Sequence, residues 1–315
     1  MNDVYELVTV IVSPEAFVAA LRIATPLVLA ALGGLFAETG GVPDIALEGK
    51  LLAGALGAVV GGYFAERAGF GAGAAFGVAL ASAAACGVAL SMVLAALAVG
   101  LRADAILAGL AATMLAQGAT RLACSCLFES ESNTPTIASL AVSTPASWAW
   151  VKDQGLPRWV EVALLSHGPL TYLALALVPA CHVVLRHTPF GLALVAAGGN
   201  EKAARAAGIS LAWTRTGGLV FAGALAGLGG AALAVSVQQF ATDMSAGRGY
   251  IALAALVLAR GRAWGVLAAT LAFALPEALA GDAKRIFAFP EELALALPYL
   301  VTLALLAVAG ARWRS

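Results

Sequence analysis

Charge is scarce in this chain. Asp, Glu, Lys and Arg together make up 11% of its 315 residues, and aromatic side chains only 7%. A soluble domain carries about 25% charged residues, so the polar surface needed to face water on all sides is missing. Lys+Arg and Asp+Glu balance at 18 each, which gives no electrostatic footprint for nucleic acid or for a strongly acidic partner. Cys86, Cys124, Cys126 and Cys181 have neither zinc nor disulfide-framework spacing. Cys86 and Cys181 sit in apolar runs and are expected to pack. Cys124 and Cys126, placed just past a helix end, have no neighbouring His or Cys with which to hold a metal or run redox chemistry. His167, His182 and His187 lack proton-relay spacing, and no metal site or catalytic nucleophile–base set is expected. The N-terminus lacks the basic-then-apolar pattern of a removable signal peptide.

What fills the chain instead is apolar: 61% of residues are hydrophobic and the mean hydropathy is +0.92. The expected fold is all-α, a polytopic transmembrane helical bundle of about eight to ten spans, because a lipid-exposed backbone must satisfy its hydrogen bonds within each segment. Nine segments are predicted, over about 16–37, 45–65, 72–99, 104–122, 170–186, 214–234, 249–259, 264–281 and 293–311, by the need for roughly 20 apolar residues per crossing. The stretch 249–259 is too short to cross alone and is expected to be tilted, broken or half-crossing. Small-xxx-small ridges at Gly57 and Gly61, at Gly69, Gly73 and Gly77, and at Gly223 and Gly227 predict close helix packing. Alternating the spans places Arg102, the group Arg186, Lys202, Arg205 and Arg215, the pair Arg260 and Arg262, and Arg312 and Arg314 on one face, cytoplasmic by the positive-inside rule. The segment 123–169 and the N-terminus then fall outside, with residues 4–12 along the interface.

Residues 44–54 (DIALEGKLLAG) are similar to 250–260 (YIALAALVLAR), each after a Gly-rich breaker, and the two run in opposite directions in this topology. That is the pattern of an inverted repeat. The chain therefore reads as a single membrane domain, 1–315: a first repeat 16–122, an external loop 123–169, a linking span 170–186, a cytoplasmic segment 188–212 and a second repeat 214–311.

Polar residues within spans are few enough to name. In ETGGVPDIALEGK (38–50), Gly40, Gly41 and Pro43 forbid a continuous helix. Asp44 and Glu48 are candidates for a transport path or its gate, since Glu48 lies in an apolar run where a charge costs several kcal/mol unless paired or wet. Lys50 stands two residues on, facing another way on a helix. Glu48-Gly49-Lys50 is not a phosphate-binding loop, because Asp44 and Leu51 stand where Gly and Ser or Thr are required. Thr113 and Gln117 share one face of the fourth span and could bond a polar solute or join helices. In 188–209, Asn200 is placed to cap a short helix, Glu201 suits its positive end, and Gly208 suits its stop. Around 247–254, the glycines permit a break, and Arg248 could cap or snorkel.

Leu21 to Gly34 followed by the Gly41-to-Gly49 motif, the stretch 188–209 and the stretch 247–256 resemble, in that order, the permease subunits of bacterial nucleoside ABC importers. These are grouped with ribose, simple-sugar and branched-chain amino-acid permeases. The likeness runs over about 16–310 and implies a type II importer fold with inverted repeats. It implies that Asn200, Glu201, Lys202, Arg205 and Gly208 couple the chain to a partner ABC ATPase, where ATP and Mg would bind, with no cofactor in this chain. It further implies a second homologous permease subunit, a periplasmic or lipid-anchored solute-binding protein, and a place in the bacterial inner membrane. The expected activity is alternating-access import of nucleosides. The alternative is a simple sugar or other small polar solute, and a stand-alone secondary transporter is disfavoured by the lack of paired intramembrane acids. The chain departs from the family pattern at Asp44-Ile45-Ala46, where Asn-Ile-Gly is usual, at Lys50, where an apolar residue is usual, and at Val195 and Gly199.

Overall fold

The computed structural model describes residues 14–130, 132–141 and 165–287. The predicted span 293–311, the interfacial stretch 4–12 and most of the external loop lie outside them. Ten α-helices are present among the described residues: α1 (Pro14–Thr39), α2 (Leu47–Arg67), α3 (Ala72–Ala95), α4 (Ala105–Phe128), α5 (Pro169–His187), α6 (Pro189–Gly199), α7 (Glu201–Ala206), α8 (Leu211–Val237), α9 (Arg248–Ala259) and α10 (Ala263–Phe287). No strand is present among those residues, only an isolated bridge between Asn133 and Ala241. Five helices are long and apolar enough to cross a membrane: α1, α3 with its π-helical extension to Gly100, α4, α5 and α8. The chain is a multi-pass membrane protein. At 12 residues α9 spans only about 18 Å and cannot cross, as its length in the sequence predicts.

The bundle closes around α8, which packs on α1, α2 and α3 through glycine. A Cβ on Gly33 would lie 2.7 Å from the Ala222 carbonyl oxygen, and a Cβ on Gly223 would fall on the Gly87 carbonyl and the Ser91 hydroxyl. Gly54 and Gly227 meet backbone to backbone, and Gly57 and Gly61 admit Cys86 and Ser82 of α3. The ridge at Gly69, Gly73 and Gly77 does not pack: nothing lies within 4 Å of a Cβ at any of the three. On α3 the inward stripe is Ala75, Ala79 and Ala83 instead, all fully buried, so the glycines fall on the outer face. Gly223→Leu is therefore expected to destabilise the protein by about 1–3 kcal/mol through overpacking, and Gly77→Leu to leave it unchanged. Thermal unfolding in detergent would separate the two.

α4 runs past the predicted end at 122 to Phe128, so Cys124 and Cys126 lie inside the helix and not beyond it, Cys124 buried and Cys126 exposed. The apolar run 122–128 sustains the helix until Glu129, whose left-handed φ of 55° ends it. On the same side, the segment after α4 pairs with the segment after α8: Ile137 N–H donates to the Gln238 carbonyl at 2.8 Å and Thr134 N–H to that of Phe240 at 3.0 Å. Arg121 and Asp243 add an exposed ion pair at 2.5 Å.

Candidate functional site: a carboxylate clasp and a pair of short helices

The first turn of a helix exposes N–H groups that its own backbone cannot satisfy and that attract negative charge. α9 begins inside the bundle, and the group that answers its N-terminus is Glu48. The Glu48 carboxylate accepts from Ser245 Oγ at 2.6 Å, Gly247 N–H at 2.9 Å and Gly249 N–H at 2.6 Å. Glu48 is 5% exposed. Gly247 supplies the left-handed entry with φ of 80°, and a Cβ on Gly249 would collide with the Glu48 backbone. The first turns of α2 and α9, the two elements matched by internal similarity, thus meet at one carboxylate.

Lys50 reaches back to Asp44 at 2.5 Å, and both side chains are fully buried. The polar stretch 44–50 therefore holds two separate features, a helix-capping carboxylate and a neutralised ion pair. Gly49 seats this stretch on α4: its Cβ would lie 2.8 Å from Thr113 Cα. Thr113 is buried and donates to the Gly109 carbonyl of its own helix at 3.1 Å, making no interhelical hydrogen bond among the described residues. Gln117, one turn further along α4, is half-buried. The structure thus gathers Asp44, Glu48 and Thr113 around Gly49, with Gln117 at the margin.

Arg248 bonds Glu277 of α10 at 2.8 Å and the Met244 carbonyl at 3.4 Å. Beside it is a cavity of about 330 Å³, where Thr25 and Thr171 face each other at 3.0 Å and Arg22, Ser166, Ser236 and Arg248 complete the polar side-chain lining.

Before the start of α8, local chemistry builds α6 and α7. Thr188 Oγ1 accepts from Gly191 N–H at 3.2 Å, and Asn200 Oδ1 from Ala203 N–H at 3.1 Å. Gly208, with φ of 78°, ends the turn. Lys202 and Arg205 are exposed. Sequence reasoning counted Arg215 only as a positive charge, yet it organises this end. Its guanidinium pairs with Glu201, and Nε donates to the Gly40 carbonyl at 3.0 Å. Nη2 also reaches the Ala197 carbonyl at 3.5 Å. The Arg215 hydrogen bond and charge, with smaller help from Arg205 and Arg102, hold the Glu201 carboxyl below its ordinary range. The short helices are thereby bonded to the α1–α2 turn at Gly40, four residues before Asp44. The legible signal was an arginine one turn into an otherwise apolar helix.

The chain is 32% identical over 308 residues to the guanosine ABC transporter permease protein NupQ of Bacillus subtilis, covering 96% of this chain and 92% of that protein. It is 30% identical to the putative glucose ABC transporter permease protein TsgC13 of Haloferax volcanii, over 83% of this chain and 75% of that one. It is 27% identical to the nucleoside ABC transporter permease protein NupC of Lactococcus lactis subsp. cremoris, over 90% and 88% respectively. No solved structure matches the chain. Residues 16–306 match the family described as "Branched-chain amino acid transport system / permease component". With a match of that extent on a bundle of apolar helices, the chain belongs to this family of ABC transporter permease subunits, which move solute and are not themselves enzymes.

Proposed function

We propose that this chain is the inner-membrane permease subunit of a nucleoside importer working by alternating access. The observation that carries the reading is the similarity to a guanosine permease along almost the whole chain, with a second nucleoside permease alongside it. The geometry supports an uncharged solute. In transporters, half-helix N-termini commonly receive an anionic group of the substrate. Here the N-terminal donors of α9 are already taken by Glu48, so a solute carboxylate has no such receptor there.

A partner ATPase binds ATP and Mg, a second permease subunit completes the pathway, and a periplasmic or lipid-anchored binding protein delivers the solute. Asn200, Glu201, Lys202, Arg205 and Gly208 form the lever that the ATPase moves, and Arg215 connects it to the Gly40 turn. Asp44, Glu48, Thr113 and Gln117 line or support the path. The second reading, a sugar permease, is favoured by the 30% identity to a putative glucose permease.

The test is ATP-dependent uptake of labelled guanosine by the reconstituted transporter. Guanosine uptake competed by adenosine and indifferent to excess ribose and glucose is expected. Uptake of labelled ribose or glucose, with none of labelled guanosine, would assign the sugar reading instead.

A further inference from the structure

At the cytoplasmic end a cavity of about 720 Å³ opens between the α3–α4 turn, α7 and the start of α8. Its charged lining is Arg102, Glu201, Arg205 and Arg215. Glu201 is the lone carboxylate there and is engaged by Arg215. Arg102 and Arg205 take part in no salt bridge among the described residues. Two guanidinium groups, from elements more than 100 positions apart in sequence, thus face one recess with no ion-pair partner of their own among the described residues.

The backbone is arranged to put Arg102 there. After α3 the chain closes with Leu101 N–H on the Ala96 carbonyl at 2.9 Å and Ala103 N–H on that of Leu97 at 3.0 Å. This leaves Arg102 left-handed with φ of 54°. Such a helix-ending position is one glycine takes without penalty; here it carries a long cation. The surroundings suit a protein partner: Leu101 and Trp213 are 75% and 81% exposed, and tryptophan and arginine are the residues that dominate protein interfaces.

We propose that Arg102 and Arg205 form a socket for an acidic side chain of the partner ATPase, so that docking grips the α3–α4 turn together with α7. This rests on the function proposed above and specifies the partner's chemistry: a carboxylate seated between two arginines, in the geometry arginine favours for carboxylates. A carboxylate held by both arginines ties the α3–α4 turn to α7, so that docking engages the two elements together.

The experiment measures ATPase binding to the assembled membrane subunits in nanodiscs, as a function of salt, in phosphatidylcholine alone and with phosphatidylglycerol added. The double variant R102E/R205E is expected to bind the ATPase about 10–100-fold more weakly, with a shallower salt dependence, in both lipids. Arg102 and Arg205 are exposed, so an unchanged melting temperature will show that the fold is intact; R102Q/R205Q gives the milder case. Binding within twofold of the unaltered protein would overturn the socket while leaving the importer reading standing. A loss confined to phosphatidylglycerol discs would assign the arginines to a lipid headgroup and also overturn it. No ATPase binding by the unaltered protein would overturn the importer reading itself.

Discussion

Glu48→Ala should abolish uptake and cost about 3–5 kcal/mol of stability, because it leaves several buried donors without an acceptor. Those donors are Ser245 Oγ, Gly247 N–H and Gly249 N–H. Ser245 and Gly249 are buried and Gly247 is half-buried, and the donors of all three converge on this one carboxylate. A loss of that size is a large part of the about 5–15 kcal/mol that holds a typical protein folded. Glu48→Gln keeps one acceptor oxygen but turns an NH2 group toward a donor and removes the charge that complements the α9 dipole. It is expected to cost less, about 1–2 kcal/mol, and to retain partial uptake. Thermal unfolding in detergent, read beside guanosine uptake, orders the three proteins. If Glu48→Ala melted with the unaltered protein, the carboxylate could not be the cap that joins α2 to α9.

This clasp marks how far the sequence could be read. That Glu48 needed a partner was legible, because a carboxylate in an apolar run is costly alone. The partner was not legible, because it is 197 or more positions away and consists mostly of backbone N–H groups, which every residue but proline possesses. The helix cap at Asn200 was accessible to inspection, since capping is local. So was the shortness of α9. The glycine ridges failed as a guide in one case of three: spacing shows that a helix has a smooth face, and only the neighbour's position decides whether that face is used. Arg215 was overlooked for a related reason. Counting it toward membrane orientation accounted for its charge and left its five donors unassigned, whereas those donors tie α6, α7 and the Gly40 turn together.

Asp44 and Lys50 make the sharper test, because two departures from the family pattern turn out to be one. Where this chain has Asp44 and Lys50, the permeases it resembles usually have asparagine and an apolar residue. In the structure the two charges touch at 2.5 Å with neither exposed. Removing one member strands a buried ion, and Asp44→Asn or Lys50→Met alone is expected to destabilise by about 3–5 kcal/mol. Removing both restores the usual pattern. It also relieves the desolvation of two ions, one of which, Asp44, has a second oxygen with no hydrogen-bond partner among the described residues. D44N/K50M should therefore lie within about 1.5 kcal/mol of the unaltered protein on either side, a coupling energy far above the about 0.5 kcal/mol expected of independent sites. The measurement is a double-mutant cycle on thermal unfolding, with uptake recorded for all four proteins. Additive losses in the double variant would mean that each charge has its own partner and that the pair is no unit. Recovery of stability without recovery of uptake would separate the two roles, leaving the ion pair dispensable for folding and required in the path.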